Sequence, residues 1–153
     1  MNNKMKSLLY NININQPNKI SKNVEKICNE IVSKTKIIFN CVVHDPNDEL
    51  KEKNLNKNYV INDTVRYESN CNEFRPIDYF DYHCEFTAHI VHYTLYHLKI
   101  KLKDKYPNRK FCIIISISDK ISTVHFHTCI NNEDLWISNN LDNFEDPVLY
   151  EIF

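Results

Sequence analysis

Histidines spaced to share one side of a helix or a strand are the first candidates for chemistry in this chain. Glu85, His89 and His92 follow one another at intervals of four and three residues, which places them on one face of a predicted helix. His125 and His127 share one face of a predicted strand. Zinc requires three or four such ligands that converge at about 2.0–2.3 Å.

A set made of Glu85, His89, His92 and His127 would suit a metal-dependent hydrolase. The two groups lie on separate elements, however, and the chain has no HExxH order. Histidines of the core and its rim are the competing interpretation and the favoured one, so the sequence predicts no metal and no other cofactor.

Nucleophilic catalysis would require a cysteine or serine within reach of a base. His83 and Cys84 are adjacent, but neighbours on a helix point about 100° apart and do not meet. Cys129 lies two residues from His127 on the same strand face, among apolar residues that favour a neutral thiol. The sequence therefore predicts no catalytic residue and no enzyme activity.

Carboxylates beside aromatic residues form the most informative pattern, near the C-terminus. The pairs Glu133/Asp134 and Glu145/Asp146 fall in predicted turns, where nothing raises a carboxyl pKa for acid–base work. Acids around aromatic anchors are instead typical of a protein-binding surface. In the alternative interpretation Trp136 and Phe144 fill the core. The predicted partner-binding residues are Glu133, Asp134, Trp136, Asp142, Phe144, Glu145 and Asp146.

The charge of the chain is balanced overall but unevenly distributed. The formal net charge is −1, which argues against direct binding of nucleic acid. Seven lysines lie in residues 1–40, whereas residues 122–153 contain neither lysine nor arginine. An acidic end favours a basic partner, with a solvated acidic tail as the alternative.

The composition excludes several further classes of protein. There is no glycine, which excludes the glycine-dependent phosphate loops and assigns positive-φ positions to asparagine and aspartate. The six cysteines show no CxxC spacing, and no signal peptide precedes them, so reduced thiols in a cytoplasmic protein are expected. No apolar stretch approaches the ~20 residues that span a membrane.

Apolar periodicity predicts one α+β domain over residues 1–153, with a mostly antiparallel sheet packed against one long and one shorter helix. Residues 1–18 are expected to form a short strand or a flexible start. The predicted helices cover residues 21–34 and 78–103. The predicted strands cover residues 37–43, 59–68 (the weakest), 111–118, 121–130, 135–137 and 147–153.

Residues 106–153 resemble the C-terminal half of bacterial immunity proteins from polymorphic-toxin and contact-dependent growth inhibition systems. Asn132 stands where those proteins would have glycine. The likeness is carried by Tyr106-Pro107-Asn108-Arg109-Lys110-Phe111, Val124-His125-Phe126-His127, Glu133-Asp134-Leu135-Trp136, Asn140-Leu141-Asp142 and Phe144-Glu145-Asp146-Pro147-Val148-Leu149.

This resemblance implies a small non-catalytic binder that covers the active site of a cognate toxin, often a basic RNase or DNase domain. Its acidic residues would take the place of phosphates. The sequence leaves two other functions open, the metal-dependent hydrolase described above and a regulatory interaction module unrelated to toxins.

Overall fold

Helices dominate the first two thirds of the chain and strands the last third. A computed structural model describes residues 1–10, 12, 18–80, 86–129, 137 and 140–153. No helix in these ranges is long and apolar enough to cross a bilayer. The helices are α1 (Asn3–Tyr10), α2 (Asn18–Ser33), α3 (Lys57–Asn62), α4 (Thr64–Cys71) and α5 (Thr87–Lys105), and the strands are β1 (Thr35–Ile38), β2 (Cys41–His44), β3 (Phe111–Ser118), β4 (Ile121–Thr128) and β5 (Val148–Ile152).

Two antiparallel sheets confirm the predicted α+β class. One is the β1-β2 hairpin, and the other has the strand order β4-β3-β5. Because side chains alternate along a strand, Phe111, Ile113 and Ile115 of β3 face the main core. The two longest helices, α2 and α5, pack on this core face of the sheet. Cys112, Ile114 and Ser116 therefore point to the opposite face, called here the outer face.

Tight turns close both hairpins without glycine. Phe39 and Asn40 have φ values of 47° and 71°, and Asp119 and Lys120 have 49° and 66°. Positive φ at both central residues is the type I′ geometry that matches strand twist. Asparagine and aspartate take such positions as expected, but Phe39 and Lys120 do so as well. The single strand predicted for residues 37–43 was wrong, because the Phe39–Asn40 turn divides it.

A short strand or a flexible start was expected at residues 1–18, but residues Asn3–Tyr10 form α1, and residues 11 and 13–17 lie outside the described residues. Met5, Leu8 and Leu9 are spaced three and four residues apart and face the main core. This helical spacing coincides with an alternation of apolar residues that continues to Ile14, which lies outside the described residues. Helix α2, in contrast, confirms the helix predicted at residues 21–34.

Residues 59–68 belong to two short helices and not to the predicted weak strand. The side chain of Asn56 caps α3 by accepting from the Asn58 amide at 3.1 Å. The side chain of Asp63 caps α4 by accepting from the Arg66 amide at 3.0 Å. The buried residues of α4 are mostly polar, which conceals its helical period: Thr64, Val65, Glu68 and Ser69.

Helix α5 is shorter at its start than predicted. A 3-10 helix occupies Pro76–Tyr79, and α5 begins at Thr87. Residues 81–85 between them lie outside the described residues. Strands β3, β4 and β5 lie where the sequence predicts them. Ile137, the one described residue of the strand predicted at 135–137, lies in a bend.

Two polar side chains, that of Glu68 in α4 and that of Asn72 directly after this helix, join the two sheets. The Glu68 carboxylate accepts from the Val42 amide of β2 at 2.6 Å and from the Thr128 amide and hydroxyl of β4. The Asn72 amide group donates to the carbonyls of Val42 and Phe126 at 2.7 and 3.0 Å. Both side chains are almost completely buried. They therefore satisfy backbone groups of facing sheet edges that would otherwise be buried without partners.

We expect Glu68→Gln to lower the free energy of unfolding by about 1–3 kcal/mol, measured by urea denaturation at pH 7. Glutamine has one acceptor oxygen, so its NH₂ group would face the amide of either Val42 or Thr128. The exposed Glu73 offers a matched control, since Glu73→Gln should leave stability unchanged. Equal stability of both variants would contradict the role given to Glu68.

Burial raises the pKa of Glu68 to about 6 from 4.5. The folded state therefore binds this proton more tightly than the unfolded state. The resulting stabilisation is fully present below pH 4.5 and is lost as the pH rises through about 6. The free energy of unfolding of the wild type relative to Glu68→Gln should fall by on the order of 2 kcal/mol between pH 4.5 and 7.5. A difference independent of pH would contradict the expectation.

Candidate protein-binding site

The acidic segment, residues 140–148, presents its charges and one aromatic ring to solvent. Leu141 and Val148 are buried at either end and fix the segment to the body of the protein. Asp142, Glu145 and Asp146 are exposed between them. Phe144 is 37% exposed. The structure thus places Phe144 at the surface, where the sequence left core and interface both open.

Asn2 holds the acidic segment against the sheet. Its side-chain oxygen accepts from the amides of Met5 at 3.0 Å and Val148 at 3.1 Å, so one atom caps α1 and pairs with β5. Its backbone amide donates to the Val148 carbonyl at 2.9 Å. Its side-chain nitrogen donates to the carbonyl of Asp146 at 2.8 Å. With every polar group engaged, the buried Asn2 connects the two ends of the chain.

The start of α1 contributes two further contacts to the acidic segment. The Asp142 carboxylate accepts from the Asn3 amide at 2.9 Å, at the positive end of the helix dipole. The Lys4 ammonium donates to the backbone carbonyl of Glu145. Neither the Glu145 nor the Asp146 carboxylate forms an ion pair with a described residue. These two carboxylates are therefore available to an incoming cation.

A cleft of about 390 Å³ lies between the acidic segment and the outer face of the sheet. Its floor is largely apolar, and Asp146 is the only one of its described lining residues with a formal charge. A long basic side chain matches this arrangement, because its aliphatic part can contact the apolar floor while its charged end meets the acid. The cleft is lined by Ile114, Ser116, His125, Ile137, Phe144, Asp146 and Val148.

The described cysteines have the properties of inert thiols. Burial raises the pKa of Cys28 and of Cys112 to about 12, and it also raises the pKa of Cys129. His127, the base considered for Cys129, directs Nδ1 to the Thr128 carbonyl at 3.0 Å. A thiol must ionise to act as a nucleophile. The geometry therefore gives no support to catalysis at Cys129, and Cys84 lies outside the described residues.

The structure does not bring the candidate metal ligands together. His89 and His92 lie on α5, on the core side of the sheet, whereas His127 of β4 points to the outer face beside Cys112. Glu85 lies outside the described residues. Within the described ranges, no group of three His, Cys, Asp or Glu side chains is placed to hold a metal ion. His97 is an example of a histidine in the core or its rim, since its Nε2 lies 3.0 Å from the Ser21 hydroxyl.

The whole chain matches one family model. It belongs to the family described as Uncharacterized protein PM0498, whose model matches residues 1–152. No curated protein and no solved structure matched the chain. The family assignment therefore adds no activity to what the geometry shows.

Four of the seven predicted partner-binding residues lie together on the acidic segment: Asp142, Phe144, Glu145 and Asp146. Glu133, Asp134 and Trp136 lie outside the described residues. Sequence analysis did not identify Asn2, which positions the segment. An asparagine just before a helical stretch is a cap signal. That signal predicts the bond from Asn2 to the Met5 amide, but it does not predict the bonds to β5.

We expect Asn2→Ala to destabilise the protein by about 1–3 kcal/mol in urea denaturation, because it removes the cap and leaves the Val148 amide without its partner. The Val148 amide should also exchange its hydrogen faster. Asn3→Ala is the matched control, since Asn3 contacts the segment through its backbone. A loss of stability equal to that of the control would contradict the role of Asn2.

Proposed function

We propose that this protein is an immunity protein that binds a basic toxin domain through the acidic segment and covers its active site. One observation carries the proposal. Two carboxylates without ion pairs among the described residues, those of Glu145 and Asp146, directly follow the exposed Phe144 on a segment held at both ends. Fixed charge beside an aromatic anchor is characteristic of protein-binding surfaces.

The charge distribution supports a basic partner. Residues 122–153 contain no lysine or arginine, so the carboxylates of this region add to one another. Such a surface accelerates encounter with a positively charged protein and fixes its orientation. Nuclease active sites are basic because they bind phosphates. Carboxylates at suitable spacing form ion pairs with the same cationic groups. A nuclease toxin is therefore the partner that this surface fits best.

The properties of buried titratable side chains among the described residues also favour binding over catalysis. The buried thiols have raised pKa values, and the buried Glu68 carboxylate is surrounded by backbone donors that hold it in place. These groups serve the fold. The described lining of the cleft beside Phe144 combines the acid Asp146 with an apolar floor, an arrangement that suits a side chain of a partner.

A one-to-one complex should form with the toxin domain encoded directly upstream, and co-expression should protect cells from it. In that complex, replacing Glu145 and Asp146 together by lysine should weaken affinity at least tenfold and flatten its dependence on salt. Phe144→Ala should weaken affinity about tenfold through loss of an aromatic anchor. The measurement is titration calorimetry at two salt concentrations.

Glu73→Lys with Asp104→Lys is the matched control, because both acids are exposed and the change in net charge is the same. This control should keep most of the affinity. Failure to co-purify with the wild type, or continued toxicity on co-expression, would overturn the proposed function. Equal weakening by both double variants would place the interface on another face.

A further inference from the structure

The two edges of the three-stranded sheet differ in how far other residues bond their outward backbone groups. The edge formed by β4 is occupied from Val124 to Thr128. Val124 exchanges backbone hydrogen bonds of 2.9 and 3.0 Å with Phe74. Further along, Asn72 bonds the Phe126 carbonyl and Glu68 bonds the Thr128 amide. No further strand can pair with β4 without displacing these groups.

The register of β5 shows which of its backbone groups point away from the sheet. Phe153 exchanges two bonds of 3.1 Å with Phe111 of β3, and Ile117 donates to the Pro147 carbonyl at 3.0 Å. Alternation along an antiparallel pair then directs the amides and carbonyls of Val148, Tyr150 and Ile152 outward. Each of these residues presents one donor and one acceptor to the β5 edge.

Only the first of the three outward positions is occupied by a described residue. Asn2 accepts from the Val148 amide and donates to its carbonyl. No residue of the described ranges bonds the backbone groups of Tyr150 or Ile152. Ile152 is 46% exposed. The open part of the edge therefore runs from Tyr150 towards the C-terminus.

We infer that an extended segment of the toxin pairs with this open edge as a fourth strand. The inference rests on the proposed function and specifies how the partner is held. A strand at this edge would bond the amides and carbonyls of Tyr150 and Ile152 and stop at Val148, where Asn2 occupies the edge. Strand addition supplies affinity through main-chain bonds, and alternate side chains supply specificity.

Charge selects a basic partner over a second copy of this chain. Asp146 lies two residues before Val148, so a strand that pairs with β5 comes close to the acidic segment. A second copy of β5 would offer Glu145 and Asp146 no cation, since residues 122–153 contain no lysine or arginine. Lysine and proline, which commonly protect an edge, are absent from β5. Its one charge, Glu151, pairs with Lys99 of α5 on the core side.

Ile152→Pro tests the inference in the complex with the upstream-encoded toxin domain. Proline removes the outward amide of Ile152 but no bond to β3, and sheet edges tolerate proline at such positions. Affinity should fall about tenfold, whereas Ile152→Val should bind like the wild type because it keeps the amide. Unchanged affinity of a folded Ile152→Pro variant would overturn strand addition and leave the proposed function intact.

Hydrogen exchange on the wild type gives an independent readout. The amides of Tyr150 and Ile152 should exchange at least tenfold more slowly in the complex. Those of Leu149 and Glu151, already bonded to β3, should be slow with and without toxin. Unchanged exchange at Tyr150 and Ile152 in a formed complex would overturn strand addition. A wild-type dimer that Ile152→Pro converts to a monomer would overturn it as well, because the edge would then bind a second copy. Absence of any complex would overturn the proposed function and this inference together.

Discussion

The arrangement of the two sheets depends on a buried carboxylate in one short helix and a buried amide directly after it. Glu68 of α4 and Asn72 supply acceptors and donors to the facing edges of β2 and β4, where backbone pairing between the sheets is missing. A buried charge is costly, and the raised pKa of Glu68 reflects that cost. It is tolerated because backbone amides and a hydroxyl surround it. Removing those donors would leave a charge without compensation, so helix and sheet edges depend on one another.

Closure of the β4 edge determines which surfaces are left for a partner. With α4 and Phe74 along the β4 edge and α5 on the core face, the described residues leave open the β5 edge and part of the outer face. The acidic segment lies beside both. Asn2 fixes that segment by bonding β5 and capping α1 with the same oxygen. Charge, aromatic ring and strand edge therefore occupy one region, formed where the two ends of the chain meet.

Local patterns predicted much of the fold and part of the site. The continuous apolar run of β3, the partner strand β4 and the final strand β5 were identified because strand alternation and turns are encoded by adjacent residues. The exposure of Glu145 and Asp146 followed from their charge. Patterns failed where polar residues face inward. Helix α4 was mistaken for part of a strand because three of its buried residues, Thr64, Glu68 and Ser69, are hydrophilic.

The sequence by itself determined the class of fold, the turn without glycine at Asp119-Lys120, and the concentration of acid near the C-terminus. Only the tertiary structure decided that His127 faces away from His89 and His92, that Phe144 is exposed, and that Asn2 positions the acidic segment. The reason is physical. Periodicity reports which side of its own element a residue occupies, whereas Asn2 and Val148, 146 residues apart, meet only because packing brings α1 to the edge of β5.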